Sequence, residues 1–171
     1  MKTKRIMVVP YCPQWKQDFK TIRAELLTVL GEETIAIEHV GSTSVEGLAA
    51  KPIIDLDVVI RDMDVFASAA EKLAKAGYRH EGNLGIEGRE AFDYSEKEHL
   101  QKHHLYVCPA ESPELRRHLA FRDYLRSHPD AVREYSRIKQ EGAQRYPDDI
   151  DGYLAHKTGF ILDVYQKCGL K

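Results

Sequence analysis

The feature that most constrains this chain is an apolar stretch interrupted by two acids, Pro52-Ile-Ile-Asp-Leu-Asp-Val-Val-Ile. Its many β-branched residues predict a buried β-strand. Because side chains on a strand alternate between faces, Asp55 and Asp57 are predicted to point the same way, with Cα atoms roughly 6.6 Å apart. Two carboxylates this close repel each other, and a shared divalent cation relieves the repulsion. The apolar neighbours argue against two solvated acids, so we interpret the pair as a candidate metal site.

A second component precedes that strand. Residues Ala36–Val40 are predicted to form a strand that ends at the run Gly41-Ser42-Thr43-Ser44. Glycine allows the backbone to approach a ligand closely, and short hydroxyl residues offer N–H and O–H donors to an anion. Ser44 could also cap a short helix from Val45 to Ala49. The run is therefore either an anion-binding turn, a tight turn followed by a capped helix, or both.

Length and composition limit the class of protein. The 171 residues suit one domain, which we predict to span residues 1–171. With 43% hydrophobic and 30% charged residues, the composition is that of a globular protein. A net charge of −2 predicts no general attraction to nucleic acid or membranes, and no apolar run approaches the length of about 20 residues that spans a bilayer. The three isolated cysteines fit neither a disulfide framework nor a zinc ribbon, so we expect a cytoplasmic location.

Periodicity and end signals predict the remaining elements. Three glycines at positions 82, 85 and 88 indicate a loop or hairpin. A mixed sheet is expected at about residues 35–108 and C-terminal helices at about residues 112–168, which together predict an α/β or α+β fold with a helical cap. Strands are predicted at Tyr78–Glu81 and His103–Cys108, and helices over about Pro13–Leu30, from Asp62 or Asp64 to about Gly77, from Ser112, from His128 and from Pro147.

The order strand, Gly-Ser turn, short helix and strand with Asp-x-Asp resembles the nucleotidyltransferase superfamily of the polymerase-β type. The fuller run HVGSTSVEGLAAKPIIDLDV is similar to the GrpB-like family within that superfamily, and the resemblance covers nearly the whole chain. It implies a nucleotidyltransferase-like mixed sheet flanked by helices. It also implies that the Gly-Ser turn holds the phosphates of a nucleoside triphosphate, and that the two acids hold a divalent metal, magnesium or manganese.

The sequence departs from the superfamily pattern at the third metal ligand. A site of this type draws a third carboxylate from a later strand, but the corresponding face here carries His104 and Tyr106. Imidazole is a weaker choice than carboxylate for magnesium, and it suits manganese, iron or zinc. His104 could therefore be a metal ligand, a base, or a structural histidine paired with an acid.

Two functions follow from these residues. The first is a metal-dependent nucleotidyltransferase that moves a nucleoside monophosphate from a triphosphate to an unknown acceptor, either a small molecule or a protein. The second is a catalytically silent module that binds a nucleotide or a coenzyme-A-like ligand; related domains resemble accessory parts of dephospho-coenzyme-A kinase proteins. Lys51, Arg89 and Lys157 are candidates to offset phosphate charge, with solvated surface roles as the alternative, and the family carries a run similar to Gly-x-x-Gly-Arg89. The predicted metal and catalytic residues are Asp55, Asp57 and His104, and the predicted ligand-binding residues are Gly41, Ser42, Thr43, Ser44, Lys51, Arg89 and Lys157.

Overall fold

A computed structural model describes residues 5–170; residues 1–4 and 171, which the predicted domain includes, lie outside the described part. Five strands form one mixed sheet: β1 Thr34–Val40, β2 Ile54–Ile60, β3 Tyr78–Gly82, β4 Glu90–Tyr94 and β5 His103–Pro109. Their order across the sheet is β1-β2-β5-β4-β3. β2 is parallel to β5 and antiparallel to β1, whereas β4 is antiparallel to both β3 and β5. The predicted mixed sheet is confirmed, and the loop with three glycines is the connection of the β3–β4 hairpin.

Five α-helices surround this sheet: α1 Gln14–Leu30, α2 Phe66–Lys75, α3 Pro113–Arg126, α4 Pro129–Arg145 and α5 Ile150–Lys167. The periodic apolar residues of α1, among them Trp15, Ile22 and Leu26, join β-sheet residues in the main core. α3, α4 and α5 follow the last strand as the predicted C-terminal helices. The α/β class with helices flanking a mixed sheet is confirmed. Within residues 5–170, none of the helices has the length and apolar character that crossing a membrane requires.

The start of α3 is set by local sequence and decides where its side chains lie. Ser112 accepts a hydrogen bond from the Leu115 N–H at 3.2 Å, and Pro113 occupies the first turn, where no N–H is needed. Ser112 also donates to the Gly88 carbonyl at 2.6 Å. The same serine therefore fixes the helix start directly after β5 and ties it to the glycine loop.

The predicted short helix from Val45 to Ala49 is wrong. A single 3₁₀ turn covers Ser42–Ser44, and no helix continues through the described residues that follow it up to β2. The Ser44 hydroxyl donates back to the Gly41 carbonyl at 2.5 Å instead of capping a helix. Val45 and Leu48 are buried in a separate apolar cluster with residues of α3 and α4. Tertiary burial of these two side chains has overridden the local helix signal.

Candidate functional site

β2 carries the two acids at different depths. The Asp55 side chain is 28% exposed, whereas that of Asp57 is 0% exposed. The parallel pairing with β5 places His104 opposite Asp55 and Tyr106 opposite Asp57. The strand that should supply a third carboxylate therefore presents the predicted histidine and tyrosine beside the two acids.

Each aspartate has its own histidine partner. The His104 Nδ1–H donates to Asp55 Oδ1 at 2.9 Å. His118, from α3, places Nδ1 2.6 Å from Asp57 Oδ2 and Nε2 3.1 Å from Glu114 Oε1, so one imidazole bridges two carboxylates. The structure thus shows the acid-paired geometry for His104 and adds a second pair that the sequence analysis did not include.

These contacts shift the pKa values of the groups involved. Burial lowers the pKa of His118, but its hydrogen bonds with Asp57 and Glu114 outweigh burial and raise it from 6.5 to about 9. Burial raises the pKa of Asp57, and the His118 contact limits that rise. Burial also acts to raise the pKa of Asp55, but the hydrogen bond and charge of His104 bring it below its ordinary value. At neutral pH, His118 is an imidazolium paired with a buried carboxylate.

One oxygen of each aspartate remains without a hydrogen bond inside the described chain. Asp57 Oδ1 is buried without a partner, and Asp55 Oδ2 faces Gly41. A Cβ on Gly41 would lie 2.2 Å from that oxygen, and Gly41 has a φ of 72°, so only glycine fits there without strain. Magnesium and manganese bind carboxylate oxygens, so each of these two oxygens is a candidate ligand for a divalent cation.

Within residues 5–170, no group of three or more His, Cys, Asp and Glu side chains has an arrangement that could hold a metal ion. His104 and His118 each direct Nδ1 to an aspartate. His104 therefore does not complete a three-ligand set in this geometry, and its role as a metal ligand stays a prediction.

The Gly-Ser turn is held rigidly by the helices behind it. His39 and Thr43 share a buried hydrogen bond of 2.9 Å, which occupies the Thr43 hydroxyl. Arg126 of α3 donates two hydrogen bonds to the Ser44 carbonyl, at 3.1 and 2.8 Å. The Ser42 side chain hydrogen-bonds with Tyr135 of α4. These contacts fix the backbone between Gly41 and Val45 and leave its cavity-facing side to Ser42 and Thr43.

A cavity of about 510 Å³ lies above Asp55, between the sheet and the C-terminal helices. Of the predicted residues it brings together Ser42, Thr43, Lys51, Asp55, Arg89, His104 and Lys157. Gly41, Ser44 and Asp57 do not line the cavity. Gly41 lies against Asp55, and Asp57 contacts His118. The Ser44 hydroxyl donates a hydrogen bond to the Gly41 carbonyl within the turn. The separated sequence signals thus converge on one place in the fold.

The cavity is rich in basic side chains that lack counter-ions. Lys51, Arg89, Lys139 and Lys157 line it, and none of them forms an ion pair with any residue in the range 5–170. The Arg89 guanidinium stacks 4.3 Å from the Tyr106 ring centre, and its Nε is buried without an acceptor. Lys51, Arg89 and Lys157 are partly buried and Lys139 is fully buried, so none of them is a fully solvated surface charge. The ligand-binding roles of Lys51, Arg89 and Lys157 stay predictions.

Tyr153 of α5 lies between two of these cations. Lys51 Nζ and Lys157 Nζ are 5.5 and 5.0 Å from its ring centre, and its own hydroxyl is buried without a partner. Burial and the nearby charge of Lys51 lower the pKa of Lys157 to about 8. Without a bound ligand, this arrangement disfavours the protonated form of the two lysines. A bound anion would stabilise that form.

Sequence reasoning missed four functional candidates, Glu114, His118, Lys139 and Tyr153. Glu114 and His118 have the i, i+4 spacing that places two side chains on one helix face, but that spacing does not reveal which strand they meet. Lys139 falls on the buried stripe of α4 with Val132 and Tyr135, so a charged residue in an apolar pattern was the available signal.

The sheet order, the Gly-Ser turn before the Asp-x-Asp strand and the helical cap define a nucleotidyltransferase-like fold. A crystal structure of the Cid1 poly(U) polymerase with MgGTP bound aligns with a TM-score of 0.56 at 13% identity, covering 81% of this chain and 45% of that one. At this identity the likeness concerns the fold alone.

The family model described as GrpB protein matches residues 5–167, and the chain belongs to the GrpB family. The crystal structure of conserved protein GrpB from Enterococcus faecalis aligns with a TM-score of 0.83 at 34% identity, covering 95% of this chain and 96% of that one. The Glutamate-rich protein GrpB of Alkalihalophilus pseudofirmus is 34% identical over 162 residues, with 93% of both chains covered.

Other relatives are longer than this chain. UPF0157 protein YqkA of Bacillus subtilis is 35% identical over 158 residues, which are 92% of this chain and 46% of that protein. The dephospho-CoA kinase of Mycolicibacterium paratuberculosis is 25% identical over 185 residues, covering 95% of this chain and 46% of the kinase. The chain therefore spans about half the length of these two relatives.

Proposed function

We propose that this chain binds a nucleoside triphosphate with a divalent cation and transfers the nucleoside monophosphate to an acceptor, either a small molecule or a protein. The observation that carries the proposal is the convergence of three unpaired cations, Lys51, Arg89 and Lys157, with Asp55 in one cavity beside the Gly-Ser turn. A triphosphate supplies the negative charge that these cations lack. The volume of about 510 Å³ lies in the usual range for small-molecule sites.

The Gly-Ser turn and the cationic side chains would bind the triphosphate from different sides. The backbone N–H groups after Gly41 and the Ser42 hydroxyl would donate to phosphate oxygens, because the turn is fixed from behind and does not have to reorganise. Lys51 and Lys157 would bind from the helical side, and Arg89 would bind from the hairpin side. Arg89 suits this role because its buried Nε–H has no other acceptor.

Asp55 Oδ2 and Asp57 Oδ1 would hold the cation, magnesium or manganese. When bound, such a cation neutralises phosphate charge and makes the acceptor oxygen a better nucleophile. His104 and His118 fix the other two carboxylate oxygens and so determine which oxygens stay available. In the transfer, the acceptor oxygen bonds to the α-phosphorus and gives up its proton to solvent, the bond from that phosphorus to the bridging oxygen breaks, and pyrophosphate leaves.

The test is incubation of triphosphates labelled at the α-phosphorus with magnesium or manganese and a broad acceptor panel that includes the protein itself. We expect label transfer together with pyrophosphate release, and loss of both in Asp55→Asn. Absence of both products from the parent protein across the panel would contradict the catalytic proposal.

A second candidate is a nucleotide- or coenzyme-A-like-ligand-binding module without catalysis. It is favoured by the His118–Asp57 pair, which uses one oxygen of the deeper acid, and by the lack of a third carboxylate opposite the pair on β5. The similarity of the chain to about half of a dephospho-CoA kinase also suits an accessory role. Triphosphate binding that is unaffected by magnesium or manganese, with no pyrophosphate release, would select this candidate.

A further inference from the structure

Lys139 is a buried amine without a counter-ion. It lies on α4 with 2% of its surface exposed. Within residues 5–170 its Nζ forms neither a hydrogen bond nor an ion pair, and it lies 5.0 Å from the centre of the Tyr135 ring. An ammonium ion in such surroundings is strongly disfavoured, so the group is driven towards the neutral amine.

The neighbouring charges act in the same direction. Burial, and after it the charge of Lys157, lowers the pKa of Lys139 well below its ordinary value; Asp55 opposes this shift, and Lys51 adds to it. Lysines that are desolvated beside another cation are the ones that act as nucleophiles in proteins. The amine also lines the cavity of about 510 Å³, so a ligand can reach it.

We propose that Lys139 is a nucleophilic amine that condenses with an aldehyde or ketone bearing a phosphate or carboxylate group. In the reaction the amine nitrogen bonds to the carbonyl carbon, and the carbonyl oxygen leaves as water with the two amine hydrogens. An imine remains, and neither an oxidant nor a reductant is needed. Lys157 and Lys51 hold the anionic group within the same cavity.

This inference does not rest on the aspartate pair or on a metal. Exposed lysines serve as the comparison for Lys139. Lys16 is one of them, because it is 59% exposed and forms an ion pair with Glu46 at 3.0 Å. A lysine of that kind stays protonated at neutral pH and reacts slowly with carbonyl compounds.

The test uses pyridoxal 5′-phosphate as the probe, on the full chain at pH 7 without triphosphate or metal. After brief exposure and borohydride reduction, peptide mass spectrometry measures the adduct at each lysine. We expect the Lys139 adduct to exceed the Lys16 adduct by about tenfold or more, because burial lowers the pKa of Lys139 well below its ordinary value and the contact with Glu46 raises the pKa of Lys16. Pyridoxine 5′-phosphate, which has the phosphate and no aldehyde, should give no adduct.

Three variants sharpen the result. Lys139→Met should remove the absorbance of the imine that pyridoxal 5′-phosphate forms with the parent protein. Lys139→Arg should also remove it while keeping a cation at this position. Lys157→Gln should weaken labelling at Lys139, because it removes a contact to the phosphate of the probe. An adduct that is spread over exposed lysines, or concentrated at Lys157 and absent from Lys139, would overturn the proposal. The mapping on the parent protein decides the matter even if a variant fails to fold. Triphosphate binding is measured separately, so failure of one proposal is distinguishable from failure of the other.

Discussion

His118 Nδ1 lies 2.6 Å from Asp57 Oδ2, at the end of a strand-to-helix contact that joins residues 61 positions apart. The carboxylate is fully buried and the imidazole is 18% exposed. Glu114 contacts the other ring nitrogen, so the charge of the imidazolium is matched on both sides. The pair fixes α3 against β2 and holds one oxygen of the deeper acid in a single orientation.

This pair should make stability depend on pH in a defined window. The pKa of His118 is raised from 6.5 to about 9, so its stabilisation is fully present below about 6.5 and is lost as pH rises through about 9. Folding would lose up to about 3 kcal/mol over this range. Urea denaturation of the parent and of His118→Asn at several pH values measures the difference in unfolding free energy between them. That difference should shrink towards high pH.

The comparison with His118→Asn is needed because the lowered pKa of Lys157 acts in the opposite direction. A lysine whose pKa is lower in the folded protein than in the unfolded chain makes the folded state more stable as pH rises. This contribution is the same in the parent and in His118→Asn, so it cancels in the difference between them. A difference in unfolding free energy that stays constant from pH 6 to about 10 would contradict the ion pair.

Gly41→Ala tests the close approach of the turn to Asp55. The new Cβ would meet Asp55 Oδ2 at 2.2 Å, so the carboxylate must move. Gly82→Ala is the matched control, because Gly82 also has a positive φ, 81°, but has open space around it. Both variants should lose about 1–2 kcal/mol from backbone strain. Only Gly41→Ala should lose more stability than this. It should also lose metal-dependent triphosphate binding, which calorimetry measures. Equal effects of the two variants on binding would contradict the role of Gly41.

Lys139→Met should raise stability. The substitution keeps a long unbranched side chain and removes a buried amine without a counter-ion, so the free energy of unfolding should increase by about 1 kcal/mol or more at pH 7. Lys16→Met, on the exposed side of α1, is the control and should change it by less than about 0.5 kcal/mol. Urea denaturation measures both. A decrease in Lys139→Met would mean that the amine has a stabilising partner in the folded protein.

His104→Asp should convert the site towards a three-carboxylate arrangement. Because β5 places this residue opposite Asp55, the variant brings like charges together and should lower the melting temperature in metal-free buffer. Magnesium or manganese should then raise the melting temperature more than in the parent. His104→Asn, which has a similar shape and no charge, should show no such gain. Equal metal responses of the two variants would argue against a cation at this position.

Much of the fold was accessible from the sequence because its signals are local. The strand patterns at residues 36–40, 52–60 and 103–108 located β1, β2 and β5 to within about two residues, and Ser112-Pro113 gave the start of α3. The short helix after Ser44 was wrong because two apolar side chains there are buried by α3 and α4, which no local pattern reports.

The candidate site was accessible in part. Asp55, Asp57 and the Gly-Ser turn lie close together in sequence, and His104 lies on a strand whose face could be read from alternation. His118 and Lys139 lie on helices whose docking depends on the whole C-terminal cap. Their depth and partners follow from tertiary packing, so spacing alone could not place them at the site.

The proposed function requires the cavity above Asp55 to bind a nucleoside triphosphate with a divalent cation. Isothermal titration of a non-hydrolysable triphosphate analogue, with and without magnesium, measures this binding on the parent and on Lys157→Met. We expect binding by the parent that weakens by about tenfold or more, roughly 1.4 kcal/mol, when magnesium is removed or Lys157 is replaced. Absence of binding by the parent at millimolar analogue, both with and without magnesium, would contradict the proposed function.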